Sequence, residues 1–192
     1  MPFPLTDQAP LHRVGGHIAL DFANTVSWRG TSREIDHLEN AGTILNWAIA
    51  VGLIDETASL EDPEGFARRA LGLRSAVRGA FEACVSGTPA PGDRAMLLEI
   101  AGECLRSAEL ADLPARLKYR SVEGGILGTI AWASVDLLCS DRIRRIKICP
   151  PSDCRWLFLD TTKNGSRRWC DMGACGTRSK VARHRVRQRA TQ

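Results

Sequence analysis

The feature that most restricts how this chain can fold is a set of four cysteines, Cys149, Cys154, Cys170 and Cys175, spaced C-x4-C-x15-C-x4-C. Two close pairs joined by a short hairpin are the ligand arrangement of a structural zinc site, which is four-coordinate and tetrahedral. An all-cysteine set fills every coordination position and leaves none for a substrate. One Zn2+ bound here therefore holds structure together and performs no chemistry.

With 192 residues the chain has room for one larger hydrophobic core beside that module. The formal net charge of +4 conceals a split. Residues 141–192 carry 14 Lys+Arg against 4 Asp+Glu, net +10, whereas residues 1–140 carry 12 against 18, net −6. The change of sign puts a domain boundary near residue 140, between an acidic body, 1–140, and a basic end, 141–192.

The opening MPFPLTDQAPLHR has neither a basic start nor a continuous apolar run, so it does not read as a signal or transit peptide, and a cytoplasmic protein is expected. The most apolar stretch, 126–139, contains Asp136 and falls short of the roughly 20 residues a bilayer requires. It reads as a buried central helix, and no membrane partner is expected. Seven cysteines in such a chain argue against a disulfide framework. Cys84, Cys104 and Cys139 lie in apolar helical patterns and are expected to be small buried hydrophobes.

Periodicity predicts a mainly α protein. Ile18, Phe22 and Val26 repeat at i, i+4 and i+8, so 17–28 reads as an amphipathic helix. Its other face gathers Asp21, Asn24, Thr25 and Arg29. Asn and Thr compete for backbone hydrogen bonds and are poor helix formers, so this concentration needs a cause. It is either a polar tie to the following loop or the wall of a small-ligand pocket.

Asp36 and Glu39 fit a capping box for a helix running to about Val51, closed by Gly52. Asp62-Pro63 starts a helix through Val85, with Arg68, Arg69, Arg74 and Arg78 expected on its solvated side. Asp93 is expected to cap another helix along Met96, Leu97, Ile100, Ala101 and Leu105. Residues 116–122 alternate as one short strand or hairpin arm, and Gly124-Gly125 is expected to turn the chain into the central helix.

Between the cysteine pairs, 155–160 is an aromatic, strand-like run and 161–166, with Asn164-Gly165, is a turn. Together they predict a metal-pinned hairpin. Residues 177–190 form a helix with a narrow docking stripe of Val181, Ala182, Val186 and Ala190. The rest of that helix is strongly basic, with Arg178, Lys180, Arg183, Arg185, Arg187 and Arg189. Together with Arg155, Arg167 and Arg168 these cations suit phosphates, and DNA is the expected partner. RNA or a protein is the alternative, through Trp156 and Trp169, which can stack on bases or bury in a partner.

The residues also resemble a known family. Cys149-x4-Cys154-x-Trp156-Leu157-Phe158-Leu159-Asp160, Ser166-Arg167-Arg168-Trp169-Cys170 and Cys175-Gly176-Thr177-Arg178-x-Lys180 are similar to the CGNR-type zinc finger. Ala19-Leu20-Asp21-Phe22-Ala23-Asn24-Thr25-Val26 is similar to the opening of the helical ABATE domain that precedes this finger. The resemblance implies a bacterial stress-induced transcription regulator whose finger binds DNA. Thr177 stands where the motif has Asn; Thr still suits the cap of the basic helix, but a base contact made by that Asn would change.

The expected protein is a zinc-containing, DNA-binding regulator whose body senses a small-molecule effector or dimerises. A homodimer is expected by analogy with operator-binding proteins. The chain shows no nucleophile and base at a recognised spacing, no Gly-rich phosphate loop and no open metal position. An enzyme, which would have to use Asp21, Asn24, Thr25 and Arg29, is not expected.

Overall fold

Helix α5 (Val122–Cys139) is the most apolar element and takes the centre of the protein. The computed structural model describes residues 13–54 and 59–190, and of these the side chains of His184, Arg187, Arg189 and Ala190 are outside the description, as is the opening segment 1–12. By length and composition α5 matches a membrane span. In the fold, Ile126, Leu127, Ile130, Ala131 and Leu137 are fully buried among the other helices. Its start is set by Ser121, whose hydroxyl accepts from the Gly124 amide, so Gly124 and Gly125 lie inside the helix and not in a turn before it.

Around α5 pack α3 (Pro63–Ser86) and α4 (Pro91–Arg106), with α1 (Ile18–Ala23) and α2 (Ala41–Ala50) completing the core. Asp62 and Pro63 start α3 as expected, and Gly87 closes it at φ 72°, a left-handed conformation that costs glycine little. Helix α4 begins at Pro91, so Asp93 sits within its first turn, where a carboxylate complements the helix dipole, and does not cap it. Helix α2 is capped by Asn40 with a reciprocal bond to Thr43, not by Asp36 and Glu39. Asp36 instead lies in a strand.

The predicted helix over 17–28 is cut short. It ends at Ala23, and the chain runs on as β1 (Val26–Ser27), paired antiparallel with β2 (Ile35–Asp36). Trp28 then reverses the chain at φ 54°. A second hairpin joins β3 (Ala108–Ala111) to β4 (Arg116–Tyr119), the latter being the strand expected from its alternation.

Two expected solvated arginines are buried: Arg74 and Arg78 are 7% and 5% exposed. Burying a guanidinium is tolerable only with full pairing. Arg74 meets Asp36 at 2.6 and 2.5 Å and Thr25 Oγ1 at 3.2 Å. Arg78 meets Glu82 and the Arg155 carbonyl, at 2.6 Å for the latter. Among the leftover cysteines only Cys104 is buried; Cys84 is half-buried and Cys139 is exposed, because its position on α5 faces away from the core.

After a 3-10 turn (Asp141–Arg145), β5 (Ile146–Ile148) pairs antiparallel with β6 (Leu157–Leu159), matching Ile146 to Leu159 and Ile148 to Leu157. The metal-pinned hairpin thus pairs 157–159 with the segment before Cys149 and turns between Cys149 and Trp156, not at 161–166 as expected. Alternate side chains of a strand point to opposite faces, and β6 uses this to join two cores. Leu157 and Leu159, with Ile146, enter the helical core, while Phe158 enters the cysteine cluster. The charge boundary near residue 140 is therefore not a gap in the packing.

Candidate metal centre

Cys149 directly follows β5 and Cys154 lies further along the loop to β6, so the hairpin tip carries the first pair. A turn nucleated by Asp160 brings round the second. The Asp160 carboxylate is fully buried and accepts from Lys147 Nζ at 2.7 Å, Thr162 N and Oγ1 at 3.0 and 2.6 Å, and Arg167 N at 2.9 Å. Burial alone would raise its pKa, but the bonds from Lys147 and Thr162 outweigh it and hold the carboxyl well below the ordinary range. In the sequence the only mark of this role is Asp160 followed directly by Thr161-Thr162, the composition of a side-chain-to-backbone turn.

The second pair ends on a π-helical turn (Met172–Gly176) that leads without a break into α6 (Thr177–Ala190). Its cap is Asp171, whose carboxylate accepts from Ala174 N at 2.6 Å. Thr177 therefore does not cap the basic helix; its hydroxyl donates to the Met172 carbonyl at 3.3 Å. At Gly176 a Cβ would lie 2.6 Å from Sδ of Met172, an exposed and flexible side chain that would have to turn aside.

All four cysteines are buried and their Sγ atoms lie within 4.8 Å of one another. Zinc–thiolate bonds of about 2.3 Å in a tetrahedron place sulfurs roughly 3.8 Å apart. Cys154 to Cys170 is 3.6 Å and Cys170 to Cys175 is 3.7 Å, which fits one zinc ion. Crowded thiols cannot all ionise unaided. Contacts with Cys149, Cys154 and Cys170 pull the Cys175 thiol far down, and the same crowding pushes Cys154 and Cys170 up. A divalent cation removes that conflict. The Cys170 amide donates to Cys149 Sγ at 3.4 Å and Arg178 Nη2 to Cys175 Sγ at 3.4 Å, offsetting the negative charge of a four-thiolate centre.

The predicted phosphate-binding cations are not equivalent in the fold. Arg167 is internal: its guanidinium donates to the carbonyls of Leu159, Val14, Trp169 and Cys170 and lies 4.7 Å over the Phe158 ring. Arg178 pairs with Asp153 at 2.9 Å and covers Trp28 at 5.0 Å, while Arg33 stacks on Trp28 at 4.2 Å. Arg155, Arg168, Lys180, Arg183 and Arg185 are exposed. Arg187 and Arg189 lie on α6, but their side chains are outside the described residues. The expected docking stripe is not docked: Val181 and Val186 are 45% and 67% exposed, because α6 rests mainly on the π-turn at its base. Trp156 and Trp169 are half-buried and donate to the Val26 carbonyl and Ser179 Oγ.

Of the polar group Asp21, Asn24, Thr25 and Arg29, Asn24 ties the body to the finger. The outer edge of β6 would otherwise present unpaired backbone. Asn24 closes it with both ends of its amide, donating to the Leu157 carbonyl at 2.8 Å and accepting from the Leu157 amide at 2.9 Å. One step along, the Gly15 carbonyl accepts from Leu159 N at 2.8 Å. Thr25 donates to the Phe22 carbonyl and receives Arg74. Arg29 sits beside Arg78 and Arg74, and burial first, then those neighbours, lower its pKa.

Asp21 accepts from Gly15 N at 2.8 Å. Burial raises its pKa to about 6, against the lowering effect of that bond. A folded state that holds a proton the unfolded chain releases loses stability as pH rises through that window. Relative to Asp21→Asn, the wild type is expected to lose melting temperature between about pH 4 and pH 6 and to run parallel above pH 7. Parallel profiles across the whole range would remove this assignment.

Residues 145–188 match the family model of the CGNR zinc finger. Residues 16–141 match that of the ABATE domain, described as "Putative stress-induced transcription regulator". No curated protein matches the chain.

Proposed function

Because this chain belongs to the ABATE family and carries a CGNR zinc finger, we propose that it is a cytoplasmic, DNA-binding transcription regulator that acts by binding and not by catalysis. One structural zinc holds the finger, the exposed cations of α6 contact phosphates, and the helical body senses a small molecule or stress signal. The observation that carries this reading is the position of Lys180, Arg183 and Arg185. They are exposed on a helix rooted in the zinc centre, with no acid paired to them among the described residues. Arg155 and Arg168 add exposed cations near the cysteine pairs. A helix held rigidly at one end is suited to enter a groove, and a homodimer would present two such helices to a palindromic site.

Deleting 141–192 is a poor test, since it removes Ile146, Leu157 and Leu159 from the main core. Exchanging Lys180, Arg183 and Arg185 together for Gln leaves the core intact. Duplex DNA affinity of the wild type is expected to fall steeply with salt, and the triple variant to reduce the log–log slope by roughly 2 to 3. A wild-type slope near zero, or an unchanged slope in the variant, would end the DNA reading. Stronger binding to single-stranded RNA than to duplex would move it to RNA.

A further inference from the structure

Beside the zinc centre lies a cleft of about 1080 Å³, walled on one side by the body and on the other by the finger and α6. Its apolar surface comes from Val14, Ile35, Trp156, Val181 and Ala182, drawn from four separate stretches of chain. Ile35 and Val181, 42% and 45% exposed, are two aliphatic side chains that line this space from opposite walls.

The polar groups of the lining are not equally available. Asp153 is held by Arg178 at 2.9 Å and approached by Arg33 at 3.9 Å. The Glu34 carboxylate accepts from Gly30 N at 2.6 Å, and the Asp171 carboxylate from Ala174 N at 2.6 Å. All three acids are engaged, and so are Arg33 and Arg178. Arg185 is the lining cation without a partner among the described residues.

An apolar concavity with one unanswered cation is complementary to an amphipathic monoanion. Its volume suits a small molecule: ligand sites run to about 1,000 Å³, whereas a stable protein interface needs about 800 Å² per partner and is rarely so concave. We infer that this cleft is an effector site for a small amphipathic carboxylate, with its apolar part between Ile35 and Val181 and its carboxylate at Arg185. This rests on the regulatory reading above and gives it a location. The wall residues belong to both the body and the DNA-facing helix, so an occupant would bridge the two. It would also engage Arg185, one of the cations proposed for phosphate, and would therefore weaken DNA binding.

The test uses the full chain with its zinc. Anilinonaphthalene sulfonate, an aromatic monoanion, serves as the fluorescent probe, and decanoate and decanol compete against it. One probe per chain is expected, with micromolar affinity. Ile35→Glu and Val181→Glu, each at an exposed position, should weaken the probe at least tenfold while keeping zinc content and melting temperature. Arg185→Gln should weaken decanoate by roughly tenfold and leave decanol unchanged. Undiminished probe binding in both glutamate variants, or an equal effect of Arg185→Gln on decanoate and decanol, overturns the site.

Saturating decanoate should lower wild-type DNA affinity by at least about fivefold, the lower range of allosteric coupling. No change in a protein that binds both overturns the regulatory coupling. Decanoate binding in a protein with no DNA affinity would uphold the site while the DNA reading fails.

Discussion

Cys170→Ser is expected to abolish zinc binding and to destabilise the entire chain, not the finger alone. Cys170 Sγ has two neighbours at tetrahedral spacing, Cys154 at 3.6 Å and Cys175 at 3.7 Å. Binding of structural zinc is folding free energy, on the order of 10 kcal/mol or more in isolated fingers. Here the loss propagates because β6 belongs to two cores. If Phe158 leaves a collapsed cysteine cluster, Leu157 and Leu159 on the same strand lose their place in the helical core. Wild-type protein should therefore release zinc and lose helical circular dichroism in one coincident transition. Chelation of the wild type supplies a second measurement that does not depend on the variant folding: stripping zinc should lower the helical melting temperature by ten degrees or more, as a loss of several kcal/mol does in a domain of this size. A helical body that melts unchanged after complete zinc removal would refute the shared core.

Asn24→Ala is expected to have the second largest effect, although residue 24 touches neither metal nor proposed DNA surface. Its amide is the partner of both the Leu157 N–H and the Leu157 carbonyl, and the site is buried. Each backbone group left unpaired costs about 1 to 3 kcal/mol, so the substitution should cost about 4 kcal/mol in urea unfolding. Asn24→Asp sharpens the test. A carboxylate keeps the shape and still accepts from the Leu157 amide, but it has no donor for the carbonyl and sets a charge against it. A cost comparable to the alanine variant is expected. A loss under about 1 kcal/mol in both would show that the edge of β6 is held by other contacts.

The metal ligands were legible in the sequence because four thiolates at short spacing satisfy zinc with almost no help from the rest of the chain. The helices α3 and α5 were legible for a similar reason: Asp62-Pro63 and the apolar run after Ser121 are local signals. Other features were not. Arg74 and Arg78 look like any solvated helix arginine until Asp36 and the Arg155 carbonyl are brought to them from distant segments. Asn24 and Thr25 stand out in the sequence as poor helix formers and suggest a tie to the next loop, but the partner of Asn24 lies 133 residues away.

The nine basic residues assigned to phosphate illustrate the division. From sequence they form one class, since charge is all that distinguishes them. In the folded protein Arg167 satisfies four carbonyls and Arg178, though exposed, braces Cys175, Asp153 and Trp28, while Arg155, Arg168, Lys180, Arg183 and Arg185 are exposed without an acid paired to them among the described residues. By itself, then, the sequence determined that a closed four-cysteine zinc centre precedes a basic helix and follows an α-helical body, because ligand spacing and helical period are read within one or two turns of chain. Which arginines are free, how the finger seats on the body and where a cleft opens between them were decided only by tertiary structure. Those outcomes depend on which buried donors and acceptors find partners across distant segments, and a desolvated polar group takes whatever partner the packing supplies.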